Sequence, residues 1–143
     1  MRVDVASLKT ITQEFFTAYD NHDFERMLSL CADGAQGRYL PLGRESVMPI
    51  RGGLDQVWKA LITAVPKFRC EAVEILSTEG NSVTVQAIMS GPIQPDPLGI
   101  AKDGGDVSIC HCYIIRYTSD GKINYLDCYW DNAVLNGIVK SRL

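Results

Sequence analysis

The sequence predicts one α+β domain over residues 1–143, with helices in its first half and a largely antiparallel sheet in its second. Three observations predict this. Apolar residues recur every three or four positions in residues 7–31 and 54–65, the period of a helix with one buried face. From residue 68 onward the period shortens to two, the period of a sheet. Between two such runs lies "SDGK" (119–122), whose Asp-Gly is a strong hairpin signal.

The elements follow in order. Ser7 is the expected cap of a first helix whose buried stripe is Leu8, Ile11, Phe15 and Ala18. Asp23 caps a shorter second helix carrying Phe24, Met27, Leu28 and Cys31. "ADGAQG" then breaks the helical pattern, and residues 35–50 are expected to form a strand and an irregular loop punctuated by Pro41, Gly43 and Pro49. Leu54, Val57, Trp58, Leu61, Ile62 and Val65 trace one wide stripe on a third helix, which Pro66 stops. "FRCEAVEILS" and "SVTVQAIMSG" are strands joined by the turn "TEGN". "GPIQPDPLGIAKDGGD" is a loop too rich in Pro and Gly for a ladder. "VSICHCYIIRYT" and "KINYLDCYWD" are the last two strands, and the tail from Asn132 is expected to form a final helical turn.

Composition excludes several classes of function. With 46% apolar and 22% charged residues and a net charge of -3, the chain has the balance of a soluble globular domain. Its basic residues are scattered, which leaves no footprint for nucleic acid or an acidic membrane. The N-terminal residues lack the apolar run of a signal peptide, and no window reaches membrane-spanning length, so the expected location is cytoplasmic. Five cysteines without an export signal point to free thiols, not a disulfide framework.

In "ICHCYIIRY" (109–117) a histidine stands between two cysteines. Alternation along a strand turns His111 away from Cys110 and Cys112, so the three cannot gather around one metal ion. Both faces of this strand are largely apolar. Three helices can cover only one face of the sheet, so a homodimer through the other face is expected.

The order of elements resembles the nuclear transport factor 2-like superfamily, and within it the SnoaL-like polyketide cyclase and ketosteroid isomerase-like branch. The resemblance is carried by "FFTAYDNHD", "CADGA", "RGGLDQVWKAL", "GPIQPDPLGI" and the closing "RYTSDGKI…YWD", and it spans nearly the whole chain. It implies a cystatin-like α+β roll in which a curved sheet wraps a cone-shaped pocket closed by helices. The isomerase-like general base falls on Tyr39, the helix-borne oxyanion tyrosine on Phe15, and the oxyanion-binding acid on Tyr113. The cyclase-like His and Asp of the last strand fall on Leu126 and Cys128.

If the register follows the resemblance, His111, Tyr113 and Ile115 enter the cone with Leu126, Cys128 and Trp130. Phe15, Tyr19 and Trp58 are the expected ligand contacts from the helices. A neutral imidazole at His111 could move a proton, and Tyr113 and Tyr39 could polarise or position an oxygen. The plainer alternative is a His111 that bonds a buried carbonyl and a Tyr113 that fills the core. Cys128 is either a nucleophile partnered by His111 or an inert buried thiol. Arg38 is expected at the pocket mouth beside Tyr39, and Asp127 and Asp131 on the opposite face or the rim, solvated or at the dimer interface.

Three functions remain open. One is a cofactor-independent isomerase or cyclase acting by proton transfer on a small apolar carbonyl compound. The second is a non-catalytic ligand-binding domain of the same fold. The third is a dimeric association domain with a filled cone.

Overall fold

The structure, a computed structural model, describes residues 4–77, 80–92 and 106–131. The element order is α1 (Val5–Asp20), α2 (Phe24–Ser29), β1 (Cys31–Tyr39), β2 (Met48–Pro49), α3 (Asp55–Ala64), β3 (Arg69–Ser77), β4 (Ser82–Pro92), β5 (Asp106–Tyr117) and β6 (Ile123–Trp130). The strands form one six-stranded sheet in the order β2-β1-β6-β5-β4-β3. Every pairing is antiparallel except β1 with β6, so the sheet is mixed. Of the loop expected over 91–106, Gly91 and Pro92 instead close β4 and Asp106 opens β5. Pro92 is tolerated at the strand end, where it pairs with Asp106. Residues 93–105 and the tail from 132 lie outside the described residues. Among those described, no helix is long and apolar enough to cross a membrane.

Two helix boundaries also differ from the sequence expectation. The first helix starts a turn earlier, because Asp4 is itself a strong cap and its side chain accepts the Ser7 N–H at 2.8 Å. Cys31 does not end α2. It opens β1, which runs straight through "ADGAQG". The Asp-Gly signal marks an irregularity inside the strand and not its end: β6 pairs with Cys31 and again from Gln36 to Tyr39, and residues 32–35 lie in the register shift between them.

Gly37 lies on the inner face of β1 where no side chain fits. A Cβ there would come within 2.7 Å of the Leu126 carbonyl oxygen and 2.8 Å of Leu54 Cδ1. The Leu126 oxygen belongs to the partner strand and cannot retreat without loosening the ladder. Gly37→Ala is expected to cost about 1–3 kcal/mol, read as a lower denaturant midpoint with an unchanged slope.

Alternation sorts the strands into two faces. His111, Tyr113, Ile115, Leu126 and Cys128 are buried on the inner face, while Cys110 and Arg116 are exposed on the outer one. The inner residues form cross-strand rows. Gly37, Leu126, Ile115 and Val83 are aligned in one row, and Tyr39, Cys128, Tyr113 and Val85 in the next. Trp130, His111 and Ala87 form a third. The helices cover this face. Phe16 of α1 packs edge-on against Tyr113 at 5.1 Å, and Phe15 and Tyr19 pack against Trp58 of α3 at 6.0 and 5.9 Å.

The outer face holds a buried charge pair. Arg38 Nε donates to Asp127 Oδ1 at 2.8 Å, and the Asp127 side chain is only 7% exposed. Arg38 therefore stands on the opposite face from Tyr39, not beside it at a pocket mouth, because neighbours on a strand point opposite ways. Asp127 is on the outer face as expected, but it is buried and paired, not solvated.

Candidate functional site

A cavity of about 330 Å³ lies between the inner face of the sheet and helices α1 and α3. That is within the ordinary range of small-molecule sites. The cone is therefore not filled by side chains. No Asp, Glu, Lys or Arg lines the cavity among the described residues.

The wall on the sheet side is an aromatic arc around a small residue. Tyr39 meets Trp130 at 5.3 Å, Trp130 meets His111 at 5.3 Å, and His111 stacks on Tyr113 at 6.3 Å with the rings 19° apart. Cys128 sits between the two tyrosines, in register with both. Its short side chain leaves open the space that a larger residue in that row would occupy.

Each polar tip of the arc has a defined state. His111 Nδ1 lies 3.0 Å from the Ile109 carbonyl oxygen, which can only accept, so Nδ1 carries the proton. In the neutral ring the basic lone pair is then on Nε2. Burial pushes the His111 pKa below the usual imidazole value, partly offset by the bond to Ile109, which favours the neutral form near pH 7. The Tyr113 hydroxyl and the Trp130 indole N–H are buried and have no hydrogen-bond partner among the described residues. Trp58 Nε1 donates to the Tyr39 hydroxyl at 2.6 Å. Burial, reinforced by nearby Cys128, raises the Tyr39 and Tyr113 pKa values far above the ordinary phenol value, so both remain donors at any physiological pH. Tyr39 is thus a donor, although it stands where the resemblance implies a general base. Burial raises the Cys128 thiol, against the opposing effect of the Tyr113 hydroxyl beside it, so it stays protonated and lacks the thiolate a nucleophile needs.

Of the residues expected around the ligand, Tyr19, Tyr39, His111, Tyr113, Cys128 and Trp130 line the cavity. Phe15, Trp58, Ile115 and Leu126 do not. They are fully buried in the core behind it. Ile115 and Leu126 occupy the neighbouring row, which Leu54 and Gly37 close off, and Trp58 is turned so that its N–H meets Tyr39 instead of the open space. The opposite wall comes from Val57, Leu61, Ala64 and Val65 of α3 and its C-terminal end, with Phe68 and Met89. Reading the α3 stripe as core hid its second role. The turn after α3 is pinned from α1: His22 Nε2–H donates to the Phe68 carbonyl at 2.7 Å, and Asp20 accepts from Arg69 Nε at 2.8 Å and from the Cys70 N–H at 2.9 Å. These bonds fix the Phe68 wall. Cys110 and Cys112 face the outer side, and no group of three or more His, Cys, Asp or Glu side chains able to hold a metal ion is present among the described residues.

The comparisons with known proteins agree with this architecture. No curated protein matches the chain. Among solved structures, AclR from Streptomyces galilaeus, described as a candidate hydroxylase, is 16% identical. The match covers 96% of this chain and 98% of AclR with a TM-score of 0.79. IdmH from Streptomyces antibioticus, described as a candidate polyketide cyclase, is 17% identical over 93% of this chain and 98% of its own, with a TM-score of 0.80. SalBIII is an epoxide hydrolase/cyclase-like enzyme with a role in pyran ring formation in the polyether salinomycin. It is 19% identical over 91% of this chain and 95% of its own, with a TM-score of 0.74. At these identities the likeness is one of fold. A family model for the SnoaL-like domain matches residues 12–126, from α1 into β6. The chain thus belongs to the SnoaL-like domain family.

Proposed function

We propose that the protein is a cofactor-independent enzyme that moves a proton on a small, neutral, apolar carbonyl compound, isomerising or cyclising it. One observation carries this reading. A buried imidazole with its lone pair on Nε2 stacks against a buried phenol whose proton has no partner, and both line one apolar cavity. In this reading His111 Nε2 takes the proton next to the carbonyl and later returns it. Tyr113 donates to the oxygen as negative charge develops there. Trp130 N–H supplies a further donor, and the absence of charged side chains among the described lining residues selects against ionised ligands. Family neighbours described as cyclases support the class of chemistry without fixing it for this chain.

The test is deuterium exchange at the positions next to the carbonyl of 2-decalone in D₂O, followed by mass spectrometry. The protein is expected to accelerate exchange above the buffer rate. The second reading, a non-catalytic binding domain, is favoured by the lack of any carboxylate among the described residues that line the cavity. It predicts saturable binding of 2-decalone with no acceleration.

The reading also includes a homodimer through the outer face. Leu76, Ile88 and Tyr129 are 49%, 36% and 39% exposed there, with Ile114 half-buried among them. An apolar sheet face of this kind is ordinarily covered. Light scattering after size exclusion is expected to give twice the chain mass, and Ile88→Lys to shift the equilibrium towards monomer. A monomer at all concentrations would remove the dimer from the account.

A further inference from the structure

We propose that Tyr39, held by Trp58, forms a second polar subsite, so that the ligand of the cavity carries at least two acceptor oxygens, one at Tyr113 and one at Tyr39. The inference rests on the carbonyl reading and adds to it the number and placement of oxygens.

It follows from counting protons. Trp58 Nε1–H, Tyr39 O–H and Tyr19 O–H are three neighbouring donors. Trp58 spends its proton on the Tyr39 oxygen at 2.6 Å. With Tyr19 donating to the same oxygen, the proton left over is that of Tyr39, and both phenols line the cavity. The Tyr113 hydroxyl and the Trp130 N–H add two more unspent donors. A single carbonyl oxygen offers two lone pairs, one fewer than these donors require. A buried donor left without a partner is costly, so a ligand with a second oxygen gains what a one-oxygen ligand forfeits.

Position separates the two subsites. Tyr39 and Tyr113 flank Cys128 on the strands to either side of β6. With strands about 4.8 Å apart, their Cα atoms are roughly 10 Å apart. Tyr39 is tied to α3 through Trp58, whereas Tyr113 is packed against Phe16 of α1 and the His111 ring. His111 and Tyr113 thus serve the reacting carbonyl, and Tyr39 anchors the far end. Trp58 touches no ligand and acts as a positioning residue.

The test compares 2-decalone with decalin-2,6-dione, which share a skeleton and differ by one oxygen. Binding is read by calorimetry on the wild-type protein and on Tyr39→Phe. The dione is expected to bind wild type about tenfold more tightly. In Tyr39→Phe that preference should fall below about twofold. Equal affinity of the two ketones for wild type would overturn the inference, as would a dione preference that survives Tyr39→Phe. If Tyr39→Phe and Tyr113→Phe weaken the monoketone equally, both phenols hold one oxygen and the second subsite is refuted. Exchange on 2-decalone is unaffected by any of these results, so proton transfer can stand while the second subsite falls. Binding of neither ketone would overturn both.

Discussion

His111→Gln is expected to lose about 10²–10⁴-fold of the exchange rate while keeping its fold, the range typical for removal of a positioned general base. Gln is the informative replacement because its amide N–H can still donate to the Ile109 carbonyl that now accepts from Nδ1. The buried carbonyl keeps a donor, and only the titratable lone pair is lost. His111→Ala should lose a similar factor with an additional drop in melting temperature from the emptied ring volume. The pH dependence follows from the direction of the shift. Burial lowers the folded-state pKa below the ordinary value of about 6.5, so the base is already neutral at pH 7 and the rate should be flat above it. The rate should fall only on the acid side, with a midpoint below about 6.5. Stability moves in the same direction. The unfolded chain binds the proton more readily than the folded one, so the contribution of neutral His111 is present above the unfolded value and is lost as pH falls through the folded one. A rate that is flat through this range, or His111→Gln at wild-type rate, would take His111 out of the chemistry.

Tyr113→Phe is expected to separate activity from stability. If Tyr113 merely filled the core, its hydroxyl would be bonded within the protein and its loss would destabilise the fold. That hydroxyl is buried and has no partner among the described residues. Removing it relieves an unsatisfied donor and leaves the packing against Phe16 intact. The melting temperature should therefore stay level or rise by a few degrees. The exchange rate should fall about 10²–10³-fold, as expected when a donor aimed at a developing oxyanion is lost. A destabilised Tyr113→Phe with undiminished exchange would show that the phenol is structural.

Much of this was legible in the sequence, and the part that was not has a physical cause. The stripe from Leu54 to Val65 and the alternation around "CHCYIIRY" specify elements and faces locally, because a residue's face depends only on its own element's period. Alternation alone puts His111 and Tyr113 on one side and Cys110 and Cys112 on the other. β1 was harder. "ADGAQG" has turn chemistry, and only its parallel partner β6, some ninety residues later, makes it a strand. The parts of the site missed from sequence are also long-range. The Trp58–Tyr39 bond, the Phe68 wall pinned by His22, and the burial of Asp127 by Arg38 all join segments whose proximity no local pattern records. Ile115 and Leu126 lie on the expected inner face, yet one row away from the opening, and depth along a strand cannot be read from alternation.

The central claim is that His111 Nε2 and the unspent Tyr113 donor converge on a carbonyl ligand in the inner cavity. A crystal structure with 2-decalone bound tests it most directly. The account predicts the ketone between β5–β6 and α3, its oxygen within hydrogen-bond distance of Tyr113 and a carbon next to the carbonyl facing His111 Nε2. A ketone lodged only on the outer face of the sheet, against Cys110, Cys112 and Tyr129, or one in the cavity with its oxygen turned away from Tyr113, would contradict it.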